Sequence, residues 1–313
     1  TIFLFWAPMI KATRVWGGDA SQGKAFGFLD GGRGLTGALF GILGVFVFSI
    51  FLMEAPDIAS LADRKNAFTY VIYVASGIIV LIGFLVWFFM KTAQTEQQIN
   101  AERISWEDVR QVLKLPSVWL LMVIILCGYV GYKITDIISQ YAEEVMGYNQ
   151  VDSATVGTIL QFMRPTVGIT FGLIADKLKI TWLLFLSFLL TLIGGLLFAS
   201  GFIESNATIL FFMSVLVIAC GVYACRAMYF GVMLVGQIPL GLTGTTVGLI
   251  SLIGFTPDIF DGPAYGVLMV AIPGEELGHR YVFLMLSAFS LVGAVAALIY
   301  HYKYGRKALS RTS

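Results

Sequence analysis

The 313-residue sequence is 58% hydrophobic and only 12% charged, against the roughly 25% charged content of ordinary soluble domains, and its apolar residues fall in long runs. That excludes a soluble globular domain and points to a polytopic membrane protein. The formal net charge of +1 gives no general pull toward nucleic acid, and no basic tract or aromatic-interleaved basic stripe supplies a site for one.

A hydrocarbon core about 30 Å thick is crossed by about 20 apolar helical residues. The chain opens with an apolar stretch, residues 1–10, about half long enough for that. It has neither the cationic leader nor the small-residue cleavage site of a signal peptide. It reads as the tail of a helix whose beginning lies upstream, so the sequence is expected to be a fragment. A short interfacial segment is the other reading, and the stretch lacks the amphipathicity that such a segment needs. Eight runs of sufficient length follow: 25–52, 67–90, 117–142, 153–175, 181–202, 208–235, 243–271 and 281–301.

Gly23, Gly27 and Gly31, then Gly34, Gly37, Gly41 and Gly44, recur every three or four residues through the first run. That spacing lays a bare stripe along one helix face, which lets a neighbouring helix approach closely. Arg33, about two turns from the end of this run, can snorkel to the interface. The longest polar interval is 91–115. Within it Ser105 and Asp108 have the spacing of a capping box ahead of Val109, Val112 and Leu113, which predicts a short surface helix leading into the next span.

Charges recur inside the later runs. By a rise of 1.5 Å per residue, Arg164 and Asp258 lie close to mid-span, Lys133 about 5 Å outward and Arg226 about 7 Å inward. Each costs at least ~2.5 kcal/mol at such depth, so each needs a partner, a water-filled cavity or a function. Lys133 and Asp136 share a helix face and can pair, as Arg226 and Asp258 can on consecutive helices. Such pairs are either purely structural or part of a binding site. Tyr129, Tyr132, Gln140 and Tyr141 surround the first pair, and Tyr223 and Tyr229 flank Arg226. These supply stacking and hydrogen-bonding groups that a structural pair does not need. A polar, aromatic cavity with basic groups suits a small organic anion; the tyrosines and Gln140 also suit a neutral solute.

The run 243–271 contains GFTPDIFDGP (254–263), whose prolines and glycines predict a break near Asp258. Breaks at mid-depth accompany ligand or ion sites in transporter folds, which makes Asp258, with Asp136, a candidate for ion or proton coupling. Cys127, Cys220 and Cys225 lie in apolar runs and read as small buried residues rather than as disulfide or metal partners.

Basic residues set the orientation. With a cytoplasmic C-terminus, thirteen Lys and Arg fall in inner loops and tail against three in outer loops, Arg64, Lys65 and Arg280. The opposite placement inverts the positive-inside bias. Glu143, Glu144, Glu275 and Glu276 make the outer loops acidic.

GLIADKLK (172–179), following the fourth full run, resembles the signature loop between helices eight and nine of the major facilitator superfamily. Gly172, Ala175, Asp176 and Lys177 fit; Lys179 stands where glycine is frequent, and the usual trailing basic residues are missing. SQGKAFGFLDGGRG (21–34) similarly resembles the loop that opens helix five. The resemblance covers the whole chain from about the fourth of twelve helices. It implies an all-α membrane bundle of eight full spans plus one truncated N-terminal span. Residues 1–90 then complete one six-helix half, 91–115 form the cytoplasmic linker, 116–303 form the second half and 304–313 a cytoplasmic tail. It also implies that Lys133 and Asp136 on helix seven and Arg226 on helix ten line the central cavity. Gly172, Asp176 and Lys177 belong to the cytoplasmic gate. Asp176 sits beside the negative end of its own helix, and so is expected to face another helix's N-terminus or a cation.

The function expected from these features is secondary active transport of a small organic solute by alternating access, an anion such as a sugar acid before a neutral sugar-like or drug-like solute. A non-transporting receptor on the same fold is the alternative from another class. An intramembrane enzyme finds little support: there is no HExxH pair and no phosphate-binding glycine loop, His279 is expected in an outer loop, and His301 falls at a helix end. The expected partners are the bilayer, a small-molecule substrate and a co-transported proton or sodium ion, with no cofactor or metal and a monomeric state.

Overall fold

The computed structural model describes residues 2–52, 60–89, 105–271 and 275–306. Among these the secondary structure is helical, with no strand. Eight helical stretches are long and apolar enough to cross a membrane, and they coincide with the eight sequence runs. The protein is a multi-pass membrane protein. Two compact units are formed, one by residues 1–34 with 104–313, the other by 35–103.

The first helix, α1 (Ile2–Gly17), continues well past residue 10, and α2 (Gln22–Phe51) follows after a short turn. In the smaller unit the distal part of α2 meets α3 (Leu61–Phe89), where Phe51 stacks on Tyr70 with ring centres 4.1 Å apart and Leu52 is buried with Ala67. The linker is described from residue 105. There α4 (Trp106–Leu113) carries the expected capping box: the Ser105 hydroxyl accepts from the Asp108 amide, and the Asp108 carboxylate accepts from the Ser105 amide.

The run 117–142 is two helices rather than one, α5 (Pro116–Ile134) and α6 (Ile137–Glu144). At the joint the Tyr132 carbonyl accepts from both the amide and the hydroxyl of Thr135, and the Asp136 amide bonds back to Lys133. This tightens the winding and ends the α-helical ladder. Next come α7 (Gln150–Lys177), α8 (Ile180–Ala199) and α9 (Thr208–Met228). The last of these stops short of residue 235. Beyond it Gln237 takes a positive φ of 57°, and Pro239 lacks the amide that a continuing helix requires. The break expected near Asp258 separates α10 (Thr243–Gly254) from α11 (Pro257–Ala271), with the Thr256 hydroxyl satisfying the Ile253 carbonyl at 2.7 Å. Finally α12 (Glu275–Tyr300) ends in a π-wound turn, His301–Gly305.

In the larger unit α8 packs against both α9 and α12, and α12 against α5. Where α8, α9 and α12 meet, Phe198, Phe211 and Phe283 form an aromatic core with Tyr141 of α6, in which Phe198 and Phe283 stack with centres 4.4 Å apart. The opposite faces of α8, α9 and α12 keep Trp182, Leu216, Leu291 and Val295 exposed, as expected of helices whose outer solvent is lipid. The glycine stripe on α2 divides in two. A methyl group on Gly27 would lie 2.7 Å from the Cα of Gly172, and one on Gly23 2.8 Å from the Gly172 carbonyl. At Gly37 and Gly41 it would meet nothing within 4 Å among the described residues.

Candidate functional site

The close approach of α2 and α7 brings their deep charges together. Asp30, eight residues into α2, is buried, and one of its oxygens receives two guanidinium groups. Arg164 Nη2 on α7 donates to Asp30 Oδ1 at 3.0 Å, and Arg226 Nε on α9 donates to the same atom at 3.2 Å. Arg33, a turn further along α2, stands 3.9 Å from that oxygen and places its guanidinium over the ring of Trp6, 4.5 Å from the centre. A carboxylate therefore faces three guanidinium groups. Asp30 Oδ2, Arg164 Nε and Arg226 Nη1 are buried without a hydrogen bond.

Aromatic faces close the cluster from α5. The Arg226 guanidinium lies 3.8 Å from the ring centre of Tyr132 and 5.7 Å from that of Tyr129; Arg164 lies 5.3 Å from Tyr132 and 3.4 Å from its hydroxyl. Above this layer the Tyr129 hydroxyl is 3.1 Å from both oxygens of Asp258, and Lys133 Nζ is 3.3 Å from Asp258 Oδ1. Tyr132 and Tyr223 also line a recess of about 330 Å³ with Thr135, Asp136, Ser139 and Gln161.

These partners correct the expected pairs. Lys133 binds Asp258 rather than Asp136, because the tightened joint after Tyr132 turns Asp136 out to an exposed position. Arg226 binds Asp30 rather than Asp258. Arg33 does not snorkel free but packs on Trp6. Gln140 leaves the cluster for Glu144, 2.8 Å away on the same short helix, and the Tyr141 hydroxyl donates to the Ile203 carbonyl within the aromatic core. His279 lies in α12, fully buried, 2.8 Å from Glu144, rather than in a loop. Tyr229 is buried beside Phe230, with ring centres 4.8 Å apart.

Asp30 is the residue that the sequence reading passes over. It lies within the motif 21–34, about 12 Å along α2, and the insertion cost that singles out Arg164 and Arg226 applies equally to it.

At the basic end of the bundle, Asp176 closes the last turn of α7 and finds the partner expected for a carboxylate there. Its two oxygens accept from the amides of Gly23 at 2.8 Å and Lys24 at 2.9 Å, at the positive end of α2. Gly172 makes the glycine contact one turn earlier, and Lys177 is exposed beside it. Arg14, at the end of α1, donates to the Thr243 hydroxyl at 2.7 Å and the Ile238 carbonyl at 2.8 Å, tying α1 to the start of α10.

Comparison with known proteins gives two kinds of match. The family model described as Major Facilitator Superfamily matches residues 2–258. Inner membrane protein YqcE of Escherichia coli (strain K12) is 28% identical over 311 residues, covering 96% of this chain and 70% of that protein. Inner membrane protein YihN of the same strain is 22% identical over 301 residues, covering 94% of this chain and 69% of that protein.

Proposed function

This chain belongs to the Major Facilitator Superfamily, and we propose that it is part of a secondary transporter whose substrate is a small organic anion, such as a sugar acid. One observation carries the substrate class: Arg164 and Arg226, both buried, share a single oxygen of Asp30 and retain unpartnered N–H groups. Unmatched guanidinium groups at mid-depth are unfavourable until a further negative group meets them. Their planar donor forks fit a carboxylate, while Tyr132, with Tyr129 beside it, supplies a face against which a sugar or alkyl chain can lie.

In this reading the substrate's carboxylate competes with Asp30 for the two arginines. On the division expected from the sequence, with residues 1–90 in one half and 116–303 in the other, that exchange of partner between Asp30 and the two arginines would be felt by both halves. Asp176 and Arg14 then act on the cytoplasmic side, where they hold α2 and α10 while the site is closed to that side. The inner-membrane relatives support a multi-pass placement in a cell membrane.

The test is uptake by proteoliposomes that hold the full-length protein, with labelled gluconate and, as its uncharged counterpart, glucose. Saturable gluconate uptake that fails in Arg226→Met, with glucose excluded, supports the reading. Uptake of glucose alone replaces it with a neutral-solute transporter; binding of gluconate without uptake replaces it with a receptor.

A further inference from the structure

Asp261 lies on α11 one turn after Asp258 and has 0% of its surface exposed. Neither carboxylate oxygen has a hydrogen bond of normal geometry; the hydroxyl of Tyr265, one turn further along the helix, is the polar group beside it. The arginine cluster does not use Asp261. The helices packed against α11 are α5 and α12. From α5 the charged neighbour is Lys133, which closes on Asp258 and also lies within electrostatic reach of Asp261, while Asp136 at the α5–α6 joint lies within reach of Tyr265. On α12 the charged side chains that are described, Glu276, His279 and Arg280, sit near its first turns, where Glu276 holds Arg280 and His279 holds Glu144.

With no exposed surface, and with the Tyr265 hydroxyl as its neighbouring hydrogen-bonding group, an ionised Asp261 carboxylate is poorly stabilised. A proton removes the charge and creates an O–H that the Tyr265 oxygen can accept. Access is provided by the preceding turn: Asp258 has 40% of its side chain exposed, directly after the helix break at Phe255 and Thr256.

We infer that Asp261 is a proton-binding site, filled by way of Asp258 and the break between α10 and α11. A hydronium ion that reaches Asp258 from the solvent breaks one O–H bond and leaves neutral water, its proton passing to a carboxylate oxygen of Asp261, where the new O–H bond forms. The site gains one positive charge, which offsets one negative charge on a transported anion. The coupling role, unlike proton binding itself, rests on the transport reading above.

Two measurements test this separately. Infrared difference spectra of the full-length protein in lipid, taken between neutral and alkaline pH, are expected to contain the C=O stretch of a protonated carboxylic acid. The band should vanish in Asp261→Asn and move, without vanishing, in Asp261→Glu, which shows that its loss is not a folding defect. Identical spectra for wild type and Asp261→Asn overturn the site. In proteoliposomes, Asp261→Asn should lose gluconate accumulation driven by an inward proton gradient yet keep gluconate exchange in the absence of a gradient. Retained accumulation overturns the coupling. If the wild-type protein does not handle gluconate, it is the anion reading that fails, and the infrared result alone decides whether Asp261 binds a proton.

Discussion

The guanidinium of Arg226 sits over the ring of Tyr132, 3.8 Å from its centre, with the Arg164 guanidinium 5.3 Å from the same centre. One aromatic face thus serves two buried cations, in a medium where the ring's quadrupole is poorly screened. Replacing that face by an aliphatic side chain removes a contact of about 2 kcal/mol. If the substrate is the proposed anion, Tyr132→Leu is therefore expected to weaken gluconate binding by about thirtyfold. Tyr132→Phe keeps the face and loses only the hydroxyl 3.4 Å from Arg164, so its effect should stay below about tenfold. Gluconate titrations of the two variants check the order; equal losses would show that the hydroxyl, not the ring, matters.

Asp30→Asn leaves two buried guanidinium groups without their shared counter-charge. Breaking a buried ion pair from one side typically costs about 3–5 kcal/mol, so thermal unfolding in detergent should shift well downward. Removing one arginine as well, in Asp30→Asn with Arg226→Met, should recover part of that loss. The companion cycle, Arg226→Met with Asp258→Leu, should give the smaller coupling, since Arg226 bonds to Asp30 and not to Asp258.

The divided glycine stripe predicts two classes of substitution on one helix. Gly27→Ala forces a methyl to within 2.7 Å of the Gly172 backbone and should reduce stability by about 1–3 kcal/mol. Gly37→Ala meets nothing within 4 Å among the described residues and should be neutral or stabilising by up to about 1 kcal/mol, through helix propensity alone. Thermal unfolding of the two single variants compares them directly.

Topology is checked by labelling. In a background with Cys127, Cys220 and Cys225 replaced, Glu107→Cys on α4 should react only with reagent on the cytoplasmic side, and Glu204→Cys, between α8 and α9, only with reagent outside. Both positions are exposed. Reversal of the two patterns would invert the orientation derived from the basic residues.

The spans were legible because hydrophobic length is a property of contiguous sequence: each of the eight runs needs no partner to be recognised. The break before Asp258 was legible for the same reason, since proline and glycine act on their own backbone. The α5–α6 joint was not, because it arises from a Thr135 hydroxyl bonding one turn back, a device that also occurs within unbroken helices. Ion pairs were the hardest to read. Spacing along one helix proposed Lys133 with Asp136, yet partners in a bundle are set by which helices touch. Asp30 reaches Arg164 across 134 residues and Arg226 across 196. The glycines that permit this contact were visible; the carboxylate among them was the part left unread.

The hydrogen bonds from Gly23 and Lys24 to Asp176 are a clasp at one end of a seam whose other end is the Asp30 cluster. The two ends respond differently to being pulled apart. At the clasp, the amides and the carboxylate exchange one another for water at the membrane edge, at a small net cost. At the cluster, separation strands buried charges, which is far more costly. Between them the glycines offer no interlocking side chains to resist movement. The pair α2 and α7 is therefore built like a lever, with Asp30 near its fulcrum and Asp176 at its free end, so that a small tilt at the charges becomes a larger displacement at the rim.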